Sequence, residues 1–233
     1  MRAVKLAKNV LERLRNQGFR YTAQYASKRL AESYNEWRLG VRTMGKVERE
    51  ELGFEGSYHN CYYPSDYQSI YKALRALQIR PNEDVLLDYG SGMGRVIIVA
   101  ATFPFRKVIG LELSERMNEL AKENLSRARN KLQCQNVELV TGDAAGYQVP
   151  PDVNCVFFYN SFKGPVLSSA LDNVRQSLLR TPRRLLFVYK NTESIDSVFP
   201  KHSWLVKKDE FQSSEFNYYR RFSHRVVIFE ARP

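Results

Sequence analysis

The chain has 233 residues, of which 43% are hydrophobic and 26% are charged, and its net charge is +11. This length suits one large α/β domain or one domain with an extension, and the apolar content is enough for a buried core. No window approaches the ~18 apolar residues that a membrane-spanning helix needs. The basic N-terminus lacks the apolar segment and cleavage site of a signal peptide.

The positive charge is concentrated at the two ends of the sequence. Residues 1–49 contain 12 Lys and Arg against 4 Asp and Glu, and residues 180–233 contain 11 against 6. Residues 50–179 contain 13 against 15. Basic ends of this kind suit nucleic acid, an anionic membrane surface or an acidic protein. A plain solvated surface explains them equally well.

The first 50 residues are predicted to form two helices. The apolar positions of the first helix share one face: Val4, Ala7, Val10, Leu11 and Leu14. Those of the second form another stripe: Ala26, Leu30, Tyr34 and Trp37. We expect Tyr21, Tyr25, Tyr34 and Trp37 to pack against the rest of the protein. We therefore divide the chain into a helical extension at 1–57, which caps the cleft, and a domain at 58–233. Membrane contact and RNA binding stay open as other uses of the extension.

The rest of the chain alternates between helix and strand patterns. After an irregular stretch at 41–63, Pro64 and Ser65 are predicted to open a helix. Further helices are expected at 95–103, after the cap Ser114, and at 166–179. Strands are expected at 85–88, 107–112, 137–141, 154–159 and 185–189, and in the tail at 203–206, 216–222 and 225–230. This order predicts a mostly parallel sheet with helices on both faces and antiparallel strands at its end.

The stretch VLLDYGSGMGR, residues 85–95, places an acid just before a glycine loop. Glycines after a first parallel strand let a ligand approach the backbone, and the next helix offers free N–H groups. A dinucleotide-binding loop has the pattern G-x-G-x-x-G, but here Arg95 stands at the third glycine position and Gly94 comes one residue early. A carboxylate such as Asp88 would repel a pyrophosphate. It suits a ligand with an amino-acid end, such as S-adenosylmethionine (SAM).

Two more acids follow the next two strands. Glu112 ends the second strand, where a carboxylate can accept both ribose hydroxyls. Asp143 follows the third strand, where it can accept an adenine amino group. Each acid alone reads as a solvated strand end, but the three together predict a SAM site.

The motifs DYGSGMG, VIGLELS (108–114), TGDA (141–144) and FFYNSF (157–162) resemble those of class I, seven-strand, Rossmann-like SAM-dependent methyltransferases. The run from YYPSDY (62–67) through FFYNSF to Pro182-Arg183-Arg184 resembles a bacterial group of these methyltransferases with unassigned substrate. The resemblance implies SAM as the cofactor and a seven-stranded sheet with an antiparallel last strand. It assigns the cofactor to Asp88, Gly90, Ser91, Gly92, Gly94, Arg95, Glu112, Leu113, Asp143, Ala144 and Tyr159.

The methyl acceptor is expected at the carboxyl end of the fourth strand. There Asn160 could orient an N–H group, while Tyr63, Phe162 and Tyr159 could flank a positively charged nitrogen. Asn160, Tyr63 and Phe162 are therefore the predicted catalytic residues. A protein side chain or a small-molecule amine is the favoured acceptor, RNA is the alternative, and a nicotinamide-binding Rossmann protein is a distant third.

The remaining reactive residues point to no further chemistry. The three cysteines, Cys61, Cys134 and Cys155, lack metal-ligand spacing and read as reduced core thiols, which favours a cytoplasmic location. The three histidines, His59, His202 and His224, are isolated in the sequence, so neither a metal site nor a triad is expected.

Overall fold

The computed structural model describes residues 2–53, 58–190, 199–216 and 221–232. For residues 2–10, 214–216 and 221–223 it describes the backbone. Seven strands form one sheet: β1 Val85–Tyr89, β2 Lys107–Glu112, β3 Val137–Thr141, β4 Cys155–Tyr159, β5 Leu186–Lys190, β6 Leu205–Phe216 and β7 Arg221–Ala231. Their order across the sheet is β3-β2-β1-β4-β5-β7-β6.

The sheet is parallel except for β7. Neighbouring strands from β3 to β5 run parallel, and β7 is antiparallel to both β5 and β6. The predicted Rossmann-like fold, with a mostly parallel seven-stranded sheet and an antiparallel C-terminal strand, is confirmed. The tail, however, forms two long strands instead of three short ones. The strand expected at 216–222 falls partly on 217–220, outside the described residues.

Five α-helices accompany the sheet in the described residues: α1 Arg2–Leu39, α2 Tyr67–Ala76, α3 Arg95–Ala101, α4 Glu115–Ala128 and α5 Gly164–Arg180. Ser114 caps α4 as predicted, accepting the Met117 N–H at 3.4 Å. The helix start expected at Pro64 is early, because Asp66 is the residue that caps α2, accepting the Ser69 N–H at 2.9 Å. A capped helix leaves fewer of its first N–H groups without a partner.

Alternate residues of β1 point to the two faces of the sheet. Val85 and Leu87 belong to the hydrophobic cluster that contains the inner face of α5, whereas Leu86 belongs to the cluster that contains α2 and α3. Both clusters are buried, so the central strands are apolar on both sides. In α3, residues 96–99 are all β-branched, but burial of the whole helix outweighs their strand propensity.

The chain order places a crevice at one edge of the sheet. Strand β1 lies between β2 and β4, and the order reverses at this point. In open α/β sheets, ligands bind outside the carboxyl ends of the strands at such a reversal. The loops after β1, β2 and β4 therefore meet where the sequence predicted the site.

Helix α1 is helical throughout except at Gly18, where φ is 81° and ψ is 170°. The two helical segments predicted for the extension therefore meet at this glycine. The predicted packing of the second stripe is wrong. Leu30 is 71% exposed, Tyr34 57% and Trp37 75%, so this stripe faces away from the domain.

The face of α1 that meets the domain is acidic instead. Glu32 and Glu36 both pair with the guanidinium of Arg95, which is only 4% exposed. Arg95 also donates to Thr43 Oγ1 at 2.6 Å and to the Ser65 carbonyl at 2.9 Å. A buried guanidinium needs such partners, because an unpaired buried charge is costly. Arg95 directly follows the glycine loop, so its ion pairs attach α1 to this part of the domain.

We expect Glu36→Ala to lower the free energy of unfolding by roughly 3 kcal/mol, because it removes one of two carboxylates from a buried cation. Glu36 also accepts the Thr43 N–H at 2.6 Å. Urea unfolding followed by circular dichroism measures the loss. The matched control is Glu123→Ala, which breaks an exposed pair with Arg127 and should cost less than about 0.5 kcal/mol. Equal losses in the two variants would contradict a structural role for the Arg95 pairs.

Candidate active site

A cavity of about 510 Å³ opens at the carboxyl ends of β1, β2 and β4. This volume lies in the range of small-molecule sites. Eleven of the fourteen predicted site residues line it: Tyr63, Asp88, Gly90, Ser91, Arg95, Glu112, Leu113, Ala144, Tyr159, Asn160 and Phe162. The sequence therefore predicted the place of the cavity and eleven of the 25 described residues that line it.

Asp88 is a buried acid of this wall. Its side chain is buried, and no hydrogen bond reaches it from the described residues. Burial, followed by the nearby charge of Glu112, raises the pKa of Asp88 well above its ordinary value. A carboxylate held in this way gains strongly from a cationic ligand group placed beside it.

Glu112 faces the same cavity from the end of β2, but it has partners. One carboxylate oxygen accepts the Gly92 N–H at 2.8 Å and the other accepts the Ser114 N–H at 2.9 Å. Burial still raises the pKa of Glu112, although these N–H groups act in the opposite direction. Each oxygen retains a lone pair, so the fixed carboxylate can still accept hydroxyl groups from a ligand.

The glycine loop is shaped by close contacts with its neighbours. Gly90 has φ +73°, and a Cβ there would lie 2.2 Å from Ser161 Oγ. Gly92 has φ +54°, and a Cβ there would lie 2.3 Å from the ring of Tyr62. Both positions therefore require glycine, for conformation and for space. The close approach at Gly92 is to a side chain of the protein itself, and Gly92 does not line the cavity.

Residues 58–65 run across the cleft and form a strap over it. The strap pairs with the loop after β4, since Asn60 N donates to the Ser161 carbonyl at 3.0 Å and Lys163 N donates to the Tyr58 carbonyl at 2.9 Å. On its other side the Tyr62 hydroxyl donates to the Thr43 carbonyl at 2.8 Å. The strap thus forms one wall of the cavity and is held at both edges.

Asn160 lies where the strap meets the end of β4. Its φ is +43°, in the left-handed region that few residues adopt. Asn60 Nδ2 donates to the Asn160 carbonyl at 2.6 Å and lies 3.4 Å from its side-chain oxygen. Strained backbone of this kind is concentrated at functional sites. Asn160 lines the cavity.

The three aromatic residues at this end have different surroundings. Phe162 is buried and packs edge-on against Phe158, with ring centroids 4.5 Å apart. One face of Tyr159 already holds the ammonium of Lys190, 4.4 Å from the ring centroid. Tyr63 is 38% exposed, at the rim. Of the three, Tyr63 has the most room to contact an acceptor.

Lys190 is itself almost fully buried at the end of β5, where it pairs with Asp66 at 2.9 Å. Burial favours the neutral acid, but Lys190 and then Ser69 outweigh it and hold the pKa of Asp66 well below its usual range. The pair links the start of α2, and with it the end of the strap, to the sheet.

Three predicted cofactor residues do not line the cavity: Gly92, Gly94 and Asp143. Asp143 is exposed and caps the turn after β3, with Oδ1 accepting the Ala145 N–H at 2.9 Å. Its contact with a cofactor stays a prediction. So does the cofactor role of Arg95, whose hydrogen bonds in the structure go to α1, Thr43 and Ser65.

Several lining residues were missed by the sequence analysis: Lys46, His59, Asn60, Cys61, Tyr62 and His224. Five of them precede the glycine loop and His224 lies in β7, so the motifs at the strand ends did not indicate them. Cys134 and Cys155 are buried as expected, but Cys61 is half-buried at the cavity and the prediction of a core thiol there is wrong. No group of three metal-binding side chains occurs among the described residues.

Residues 86–181 match the family model of a methyltransferase domain. Residues 86–181 therefore form a methyltransferase domain. No protein of curated function matches it in sequence. The protein is an enzyme whose cofactor is SAM.

Solved structures share the fold at low identity. An RNA methyltransferase from Salinibacter ruber in complex with S-adenosyl-L-homocysteine is 18% identical, with a TM-score of 0.50, and the match covers 72% of this chain and 94% of that one. A SAM-dependent O-methyltransferase from Thermotoga maritima is 15% identical, with a TM-score of 0.55 and coverages of 73% and 67%. A precorrin-6y C5,15-methyltransferase from Geobacter metallireducens is 17% identical, with a TM-score of 0.51 and coverages of 72% and 90%.

The residues of the cavity fit SAM. The ammonium group of the cofactor suits Asp88, which no hydrogen bond from the described residues reaches. The N–H groups of Gly90, Ser91, Gly92 and Gly94 already donate to oxygens of the protein. Glu112 is placed to accept ribose hydroxyls, and Ala144 lies in the wall after β3, where the adenine is expected. In the described residues no helix is long and apolar enough to cross a membrane. The cytoplasmic location stays a prediction.

We expect Asp88→Asn to weaken SAM binding at least about tenfold, because it removes the only charge expected to pair with the ammonium. The same change should not destabilise the free protein, since ionised Asp88 is unfavourable when buried. In the folded wild type the pKa of Asp88 is raised above its ordinary value of about 3.9. The free energy of unfolding of the wild type therefore falls as pH rises from the ordinary pKa to the raised one. The variant lacks this loss.

Calorimetric titration with SAM and thermal unfolding from pH 4 to 8 test both parts of the Asp88 prediction. Asp172→Asn, an exposed acid on α5, is the control and should change neither quantity. Wild-type SAM affinity in Asp88→Asn would show that the ammonium binds elsewhere.

Proposed function

We propose that this methyltransferase transfers its methyl group to an acceptor nitrogen on a protein side chain or a small-molecule amine. The observation that carries the proposal is Asn160, which is held in a left-handed conformation at the carboxyl end of β4 and lines the cavity. Its amide oxygen can accept an N–H of the acceptor and align the nitrogen lone pair. Asn60 is the positioning residue, through its hydrogen bond to the Asn160 carbonyl.

Bound SAM supplies an electrophilic methyl group on a sulfonium. A bond from the acceptor nitrogen to the methyl carbon forms as the sulfur–carbon bond breaks, leaving a neutral thioether. The methylated nitrogen then loses a proton to water. Such a displacement depends on alignment and on a neutral nucleophile. This agrees with the placement of acids in the described lining, where Asp88 and Glu112 both lie at the cofactor end.

The N-terminal extension, proposed at 1–57, acts as a cap through the strap that follows it. Arg95 binds Glu32 and Glu36 of α1 and also the carbonyl of Ser65, the last residue of the strap. The extension therefore positions the wall that carries Asn60 and Tyr63. Its contribution to catalysis is to shape the acceptor end, rather than to touch the reacting atoms.

RNA is the second candidate acceptor. The Salinibacter ruber structure is that of an RNA methyltransferase, and the first 49 residues of this chain carry three times as many basic as acidic residues. Phosphate contacts made by basic side chains are the main source of non-specific affinity for nucleic acid. These two facts favour RNA without placing a nucleotide in the cavity.

The acceptor class is tested by incubating the protein with a cell lysate and methyl-labelled SAM. Samples are split and treated with protease, with RNase or by ultrafiltration. We expect the label to be lost on protease treatment or to pass the filter. Label that survives protease and is released by RNase would identify RNA and overturn the amine proposal.

We expect Asn160→Gly to lower turnover on the labelled acceptor roughly 10- to 100-fold while SAM affinity stays within about twofold. Glycine tolerates the left-handed backbone, so only the side chain is lost. Gln78→Gly is the matched control, because Gln78 also has a positive φ, 50°, but lies outside the cavity. Normal turnover with weakened SAM binding in Asn160→Gly would remove Asn160 from the catalytic residues.

A further inference from the structure

The outer face of α1 after the Gly18 break is apolar along its whole length. Phe19 is 77% exposed, Leu30 71% and Trp37 75%. The spacing of the stripe is that of one helix face: Phe19, Ala23, Ala26, Leu30, Tyr34 and Trp37. All six residues are exposed. Contiguous exposed apolar surfaces of this kind mark sites where a protein binds another molecule or a membrane.

The charges of this segment are sorted between its two faces. The only acids in residues 19–40 are Glu32 and Glu36, and both point inward to Arg95. The exposed cation Arg20 borders one side of the stripe, and Arg29 borders the other. Arg38 lies on the side of Arg20 but donates to the Tyr71 hydroxyl of α2. With the acids sequestered, the exposed charges of this segment are all positive. The outer face therefore combines an apolar stripe with cationic borders.

We propose that this outer face docks on an anionic lipid surface. Phe19, Leu30 and Trp37 enter the boundary between head groups and acyl chains, where aromatic residues such as Tyr34 and Trp37 are favoured. The arginines on both borders remain at the level of the anionic head groups, with their apolar stems along the stripe. Charge complementarity between these arginines and the anionic head groups favours a lipid surface as the partner.

The same charges disfavour other occupants. A second copy that used this face isologously would bring arginine borders against each other, with no exposed acid of the segment to pair with them. RNA would satisfy the arginines and stack on Trp37, but would leave Leu30 and the two alanines without apolar partners. A lipid surface satisfies both the stripe and its borders.

Trp37 provides a direct probe of docking. The chain has two tryptophans, and the other, Trp204, is 7% exposed. Vesicles of about three parts phosphatidylcholine to one part phosphatidylglycerol should shift the emission to the blue and co-sediment the protein. Pure phosphatidylcholine vesicles should bind at least about fivefold less protein, and added salt should weaken the anionic binding.

Matched variants separate insertion from simple charge attraction. Leu30→Ser and Arg20→Glu should each reduce co-sedimentation about threefold or more. Leu179→Ser and Arg175→Glu, an exposed apolar residue and an exposed cation of α5, should leave it unchanged. SAM binding measured in parallel confirms that each variant is folded.

Four results would overturn the proposal. The first is no binding to anionic vesicles at low salt, and the second is binding that Leu30→Ser leaves intact. The third is a blue shift that appears with RNA but not with vesicles. The fourth is a blue shift that depends on protein concentration alone, which would assign the face to a second copy.

Discussion

The buried guanidinium of Arg95 is the interaction on which the rest of this architecture depends. It starts α3 directly after the glycine loop, pairs with two carboxylates of α1 and holds the Ser65 carbonyl at the end of the strap. One cation thus joins three parts of the chain that are distant in sequence. Because removing a partner leaves a buried charge uncompensated, these parts are fixed relative to one another more firmly than surface ion pairs would allow.

The active-site wall divides into a cofactor end and an acceptor end with different physical characters. Asp88 and Glu112 are buried acids whose ionised forms are costly in the free protein, so the cofactor end stores unfavourable energy that a cationic ligand relieves. The acceptor end contains amide and aromatic side chains and a strained backbone at Asn160. This division follows from topology, because β1 and β2 supply the acids and β4 with the strap supplies the rest.

The sequence predicted the sheet and the place of the cavity well, because each depends on short local patterns. Strand-end acids and positive-φ glycines need only a few neighbouring residues to be recognised. The orientation of α1 could not be predicted in this way. Its apolar stripe indicated burial, yet Glu32 and Glu36 face the domain, because Arg95 supplies a buried partner 59 or more residues away. Asn60 was missed for a similar reason, since its partner Asn160 is 100 residues distant.

The contact between Arg95 and α1 also makes the helix and the glycine loop a thermodynamically linked pair. A ligand that favours one arrangement of the loop must change the free energy of attaching α1, and a surface that favours one arrangement of α1 must change ligand affinity by the same factor. The sign and size of this reciprocity depend on how differently each arrangement binds the two ligands. Arg95 thereby couples the affinity of the cleft for its cofactor to the binding of a surface by α1.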